Sequence, residues 1–170
     1  MYAAIKSIAP DAALTLFTGD IVDHAVWLVT EAQNLVDIND AYSKMSNLTQ
    51  VYGTAGNHEA APVNSFPPKS LTSATSEQWL YNALSNDWEH WIGQNASQQV
   101  EVYGAYSTKF PGGNLRIISI NTNLYYKENY WLYEPTMEKD PSGQFAWLVT
   151  QLQAAETAGE RVYIIGHTRE

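Results

Sequence analysis

The chain of 170 residues contains no cysteine. There is therefore no disulfide frame and no thiolate to bind a metal ion. A metal held here has only His, Asp, Asn and Glu to hold it, the donor set of catalytic rather than structural sites. The lack of cysteine also fits a reducing, cytosolic compartment. Cations are scarce as well: nine Lys and Arg stand against 18 Asp and Glu, for a formal charge of −9. A protein that grips a nucleic acid duplex needs a clustered basic face, so no nucleic acid partner is expected. No apolar run approaches the roughly 20 residues that cross a bilayer, so no transmembrane helix is expected. The first ten residues, Met1 to Pro10, lack the basic region and apolar core of a secretory signal peptide.

What is present is enough for one packed core. The chain is 45% hydrophobic and 12% aromatic, and its length suits a single domain over residues 1–170. Ala3, Ala4, Ile5 and Ile8 give one apolar side to a helix over residues 3–9, stopped by Pro10. Residues 14–18 predict a short buried strand. Val26, Leu28, Val29, Ala32, Leu35, Val36 and Ile38 then predict a helix from Ala25 to about Lys44 packed on a sheet. A second strand is expected near 50–53, and residues 60–74, with three prolines, as an irregular excursion. Thr75-Ser76-Glu77 opens a helix carrying Trp79, Leu80, Ala83, Leu84, Trp88 and Trp91 towards Gly93. Val100 to Phe110 predicts a strand returning through Leu115–Ile120 across Pro111-Gly112-Gly113-Asn114. Asp140-Pro141 is a helix start, Phe145, Leu148, Val149 and Leu152 its apolar face, and Gly159 its end. A last strand covers Val162–Ile165. The reading is α/β, with no repeat and no interdomain linker.

Three of the four histidines fall in loops that follow predicted strands. Leu14–Thr18 runs into Gly19-Asp20-Ile21-Val22-Asp23-His24, Gln50-Val51-Tyr52 leads to Gly56-Asn57-His58-Glu59, and Val162–Ile165 runs into Gly166-His167. In α/β folds ligands and metals collect at the carboxyl ends of strands. A carboxylate has two oxygens and can bridge two divalent ions about 3.5–4 Å apart, and such a pair acidifies a water for attack on phosphorus. Asp20 is the candidate bridge, Asn57 offers an amide oxygen and His167 an imidazole nitrogen. The leaving alkoxide needs a proton, which His24 or His58 is suited to give. Asp23 reads as a solvated loop charge, Glu59 as orienting its neighbouring histidine, and His90 as a helix-face residue. The aromatic loop Tyr125–Tyr133 could receive a cation on its ring faces, with packing the commoner role.

Gly19-Asp20 with His24, Gly56-Asn57-His58-Glu59 and Gly166-His167, in that order, resemble the calcineurin-like metallophosphoesterase superfamily. The longer runs Thr18–His24, Asn123–Leu132 and Asp140–Leu148 leading to Ile164-Ile165-Gly166-His167 are similar to its acid sphingomyelinase branch, and together they cover nearly all of the chain. The resemblance implies an αββα sandwich of the metallophosphoesterase type, incomplete at both ends. It implies two divalent metal ions, zinc above all, bridged by Asp20 and ligated by Asn57 and His167, with His24 and His58 assisting the leaving group. The implied reaction is cleavage of sphingomyelin to ceramide and phosphocholine. The implied partners are a phosphodiester or phospholipid substrate and, peripherally, lipid surfaces. A secreted or lysosomal/vacuolar location goes with the branch, and the sequons Asn47-Leu48-Thr49 and Asn95-Ala96-Ser97 point the same way. The family's upstream Asp-x-His and downstream Gly-His-x-His have no counterpart, so the chain is expected to be an internal piece of such an enzyme. Other phosphodiesters, nucleotides among them, and an inactive binding or regulatory module are the rival readings.

Overall fold

A computed structural model describes residues 2–25, 27–135 and 137–169. Helix α1 spans Tyr2–Ile8 and strand β1 Thr15–Phe17; helix α2 covers Glu31–Met45 and strand β2 Val51–Gly53. Helices α3 (Gln78–Ile92) and α4 (Gln94–Tyr103) follow, then strands β3 (Tyr106–Lys109) and β4 (Leu115–Ser119). Three short 3-10 turns, Thr122–Tyr125, Tyr130–Tyr133 and Pro141–Gly143, precede helix α5 (Gln144–Thr157) and strand β5 (Arg161–Ile165).

The strands form two sheets. β1 and β2 lie parallel, Thr15 opposite Val51 and Phe17 opposite Gly53, with α2 as the crossover that a parallel pair requires. β3 and β4 are an antiparallel hairpin, and β5 joins β4 in parallel, Leu115 opposite Arg161 and Ser119 opposite Ile165, with α5 as its crossover. The sheets meet at Gly53, whose carbonyl accepts hydrogen bonds from the Tyr106 hydroxyl (3.1 Å) and the Ser119 hydroxyl (2.9 Å). The fold is thus mixed α/β with two sheets and flanking helices, the class the resemblance implied.

Between the sheets and the helices sits one cluster in which α2 contributes Ile38, Tyr42 and Met45, α3 Leu80, Leu84 and Trp88, and the strands Val51, Tyr52, Tyr106 and Ile117. Trp88 is fully buried, with the rings of Tyr42 and Tyr106 set edge-on at 5.8 and 5.6 Å. A Cβ on Gly53 would fall 2.7 Å from the Trp88 indole. The indole has no free space to move into, because interiors of this kind are close-packed. Gly53→Ala is expected to cost about 1–3 kcal/mol through overpacking, seen as a lower urea midpoint at unchanged slope; a midpoint equal to that of the parent chain would refute it.

Three element predictions need correction. The strand expected over Val100–Phe110 is a helix as far as Tyr103, and only Tyr106–Lys109 is extended. Gly93 and Gly104, both at positive φ, bracket α4, and its Ala96, Ser97 and Val100 are buried, with the Ser97 carbonyl accepting a hydrogen bond from the Ser85 hydroxyl of α3. Tertiary packing here overrides the strand preference of Val100, Val102 and Tyr103. Helix α2 begins at Glu31 rather than Ala25, because the Thr30 hydroxyl caps it by accepting from the Gln33 N–H. Its buried face is Asn34, Ile38, Tyr42 and Met45, whereas Val36 is exposed and Leu28 lies outside the helix, also exposed; Val26 lies outside the described residues. On α5, Phe145 and Val149 of the predicted apolar face are exposed. Its predicted start at Asp140-Pro141 comes early: these residues open a separate 3-10 turn broken by Ser142 at φ +61°, and α5 begins at Gln144. The Asp140 carboxylate nevertheless accepts from the Phe145 and Ala146 N–H groups of its first turn at 2.8 and 3.1 Å.

Candidate metal centre

Since β1 and β2 run parallel, their carboxyl ends lie at the same edge, and the loops leaving them touch. Gly19 has φ +86° and approaches Gly56 so closely that a Cβ would meet the Gly56 backbone at 2.5 Å. Asp20 follows at φ +61°, in the left-handed region that Asp enters more readily than most residues. This turn is held by Glu59, a buried side chain whose carboxylate accepts from the backbone N–H groups of Asp20 (3.0 Å), Ile21 and Gly56 (2.5 Å). Glu59 therefore orients the Asp20 turn, not the histidine beside it as the sequence suggested. Burial raises the Glu59 carboxyl above its ordinary value, and the three N–H donors pull the other way.

His167, two residues beyond β5, reaches across to this edge. Its ring Nε2 lies 2.9 Å from Asn57 Oδ1 and 3.2 Å from Asp20 Oδ1, and its Nδ1 faces the Thr18 carbonyl. The Thr122 hydroxyl accepts from the His167 and Thr168 N–H groups and fixes the segment. Asn57 is oriented in turn: its Nδ2 donates to Asn64 Oδ1 at 2.9 Å, which leaves Oδ1 as the atom presented to His167. Asp20 Oδ1 also accepts from the His58 N–H at 3.1 Å. Burial alone would raise the Asp20 carboxyl, yet its bonds to the His167 ring and the His58 N–H outweigh that and set it below the ordinary value. The same bond to Asp20 raises the His167 imidazole, against the opposite pull of burial.

A carboxylate oxygen, an amide oxygen and an imidazole nitrogen thus converge on one point. The carbonyl facing Nδ1 takes that ring proton, the arrangement that leaves Nε2 free as a ligand. Nε2 faces two oxygen acceptors: protonated, it donates to them, and deprotonated, it completes with them a set of three ligand atoms. This donor chemistry fits one divalent ion. Among the described residues no cluster of three or more His, Cys, Asp or Glu stands at metal-holding geometry.

The two remaining candidates form a pair beside these donors. The His24 and His58 rings lie 4.2 Å apart between centroids, and His58 Nδ1 is 3.0 Å from the Asp23 carbonyl. Asp23 turns its own carboxylate to the Ala25 N–H. A cleft of about 360 Å³ opens from Asn57 and His167 and is lined further by Tyr126, Lys127, Glu128, Thr168 and Arg169. His90 is exposed on α3 against the Trp91 ring, away from these loops. Much of the aromatic loop packs: Tyr125 stacks on Phe145 and donates to Asp140, and the Trp131 indole donates to Ser65, while Tyr133 is exposed.

The profile of the calcineurin-like phosphoesterase family matches residues 2–168. The chain belongs to that family. It is 40% identical to the human sphingomyelin phosphodiesterase over 158 residues, 91% of its own length and 24% of the relative's. It is 38% identical to sphingomyelin phosphodiesterase B of Dictyostelium discoideum over 169 residues, 95% of the chain and 25% of the relative. It is also 34% identical to the human cyclic GMP-AMP phosphodiesterase SMPDL3A over 169 residues, 96% of the chain and 35% of the relative. The chain spans about a quarter of the length of these sphingomyelin phosphodiesterases. Sequence reading missed Asn64, which acts on an amide only seven positions away, and it missed Thr122 and the true partners of Glu59, which act through backbone groups that no motif displays.

Proposed function

We propose that this chain is part of the catalytic domain of a metal-dependent phosphodiester hydrolase of the sphingomyelinase type, which cleaves sphingomyelin to ceramide and phosphocholine. The observation that carries the reading is the meeting of Asp20, Asn57 and His167 within 3.2 Å of one another's donor atoms across the described pairs. Two divalent ions, zinc in this reading, would supply polarisation of the phosphoryl group and an acidified water. Asp20, Asn57 and His167 would hold one of them, and Asn64 keeps the Asn57 amide turned the right way. His24 or His58, side by side, hands a proton to the departing alkoxide and offsets charge on the phosphoryl oxygens. The adjoining cleft offers Lys127 to a phosphate and Glu128 with the Tyr126 ring to a quaternary ammonium.

Identity of 40% to a sphingomyelin phosphodiesterase supports this substrate class. The relative that hydrolyses cyclic GMP-AMP favours, as a second reading, a nucleotide phosphodiester. A secretory route to the cell exterior or a lysosomal or vacuolar lumen goes with the sequons, and Asn47 and Asn95 are both exposed. No helix among the described residues is long and apolar enough to cross a membrane, so any contact with a lipid surface in this reading is peripheral.

The test loads the purified chain with zinc and follows metal content by atomic emission together with hydrolysis of sphingomyelin micelles, a cyclic dinucleotide and a chromogenic phosphodiester. At least one equivalent of zinc, the ion that these three donors fit, and release of phosphocholine are expected. Turnover of the dinucleotide alone would move the assignment to the second reading, and a chain that is folded by circular dichroism but binds no zinc would leave an inactive module instead.

A further inference from the structure

Position 34 lies on the buried stripe of α2, in line with Ile38, Tyr42 and Met45, where an apolar side chain would be ordinary. The residue there is Asn34, with no exposed surface. Its amide nitrogen faces three successive carbonyls, His58 at 3.4 Å, Glu59 at 3.1 Å and Ala60 at 3.2 Å. Its oxygen is buried without a partner among the described residues. A buried amide is costly unless its hydrogen bonds are made, and here all of those it makes go to one loop.

That loop is the hub of the site. The Glu59 carboxylate takes the N–H groups of Asp20, Ile21 and Gly56, and the His58 N–H goes to the Asp20 carboxylate. Whatever fixes the backbone at 58–60 also fixes the distance between the loop after β1 and the loop after β2. We propose that Asn34 is a positioning residue. From α2 it holds the His58–Ala60 backbone so that the Glu59 carboxylate and the His58 N–H keep Asp20 at its spacing from Asn57 and His167. The inference rests on reading those three residues as cation donors, and it adds that α2, which supplies none of them, sets their geometry.

Asn34→Asp is close to isosteric and turns a donor into an acceptor against three carbonyls. Two measurements report on it: zinc affinity by titration calorimetry, and the nuclear Overhauser contact between the His24 and His58 rings, whose centroids are 4.2 Å apart in the native chain. The variant is expected to bind zinc roughly 10–100-fold more weakly and to lose the ring contact, and Asn34→Gln, which keeps the amide, to recover part of both. A folded Asn34→Asp chain with parental zinc affinity and an intact ring contact would overturn the proposal. Should the parent itself bind no zinc, the metal reading of the site fails separately, and the ring contact decides: its loss in Asn34→Asp supports the positioning role and its persistence overturns it. If Asn34→Asp does not fold, the smaller, neutral Asn34→Ser is judged by the same readouts. A chain unfolded by both substitutions would overturn the proposal, because Asn34 would then hold up the fold and not the site.

Discussion

Asp20→Asn is expected to lower phosphodiester turnover by roughly a thousandfold or more, with the fold left standing. Removing a group that only orients a metal ligand costs about 10–100-fold, and Asp20 is in this reading the ligand itself, its carboxylate in direct contact with His167 Nε2. Asn is the informative replacement. It enters the left-handed region that the φ of +61° at this position demands, whereas Ala would add backbone strain to the loss of charge. It also keeps an oxygen for the His58 N–H, now 3.1 Å from Asp20 Oδ1. The measurement pairs kcat/KM on a chromogenic phosphodiester with zinc content and a thermal melt. Turnover within a few-fold of the parent would remove Asp20 from the chemistry. A melt shifted by many degrees would instead mark its main role as holding the turn.

The parts of the site that sequence could expose are those written as local runs. Thr15–Phe17, Val51–Gly53 and Arg161–Ile165 are short apolar strands, each followed closely by a glycine and then by Asp20, Asn57-His58 or His167, and periodicity with turn chemistry suffices to find them. The body of helix α5 was legible too, with Gly159 just past its end, but the sequence starts it at Pro141 instead of Gln144. What stayed hidden depends on contacts between distant segments. Asn34 is polar, so an apolar-face argument skips it and shifts α2 towards Val36 and Leu28, both exposed. A local signal for the true start was nevertheless present: Thr30 followed three residues later by Gln33 is a capping-box spacing. Helix α4 carries Val100, Val102 and Tyr103, which read as a strand until the buried Ala96, Ser97 and Val100 are set against α3. Glu59 could not be assigned from its neighbours, because its partners are backbone N–H groups up to 39 positions away.

Glu77→Gln is expected to stabilise the chain above pH 6 and to leave it unchanged near pH 4. Glu77 sits just before α3 with 3% of its surface exposed, and one carboxylate oxygen has no partner among the described residues. Burial, and then the nearby charge of Glu31, push its carboxyl up to about 9 from an ordinary 4.5, with a hydrogen bond from Ser65 offsetting part of the rise. The folded chain therefore keeps a proton that the unfolded chain gives up above pH 4.5. Raising the pH between these values costs stability, at about 1.4 kcal/mol per unit. Near pH 7 the accumulated penalty is about 3 kcal/mol, a sizeable share of the ordinary stability of a domain. Gln carries no ionisable proton and nearly the same shape, so the variant loses this slope. Asp87, pushed up to about 6 by burial, adds a shorter slope of the same sign in both chains. Urea midpoints at pH 4, 6 and 8 check the expectation: the gap between Glu77→Gln and its parent should open steadily with pH. Parallel pH profiles for the two chains would mean that Glu77 is ionised and solvated in the folded protein, and that the entrance to α3 is open to water.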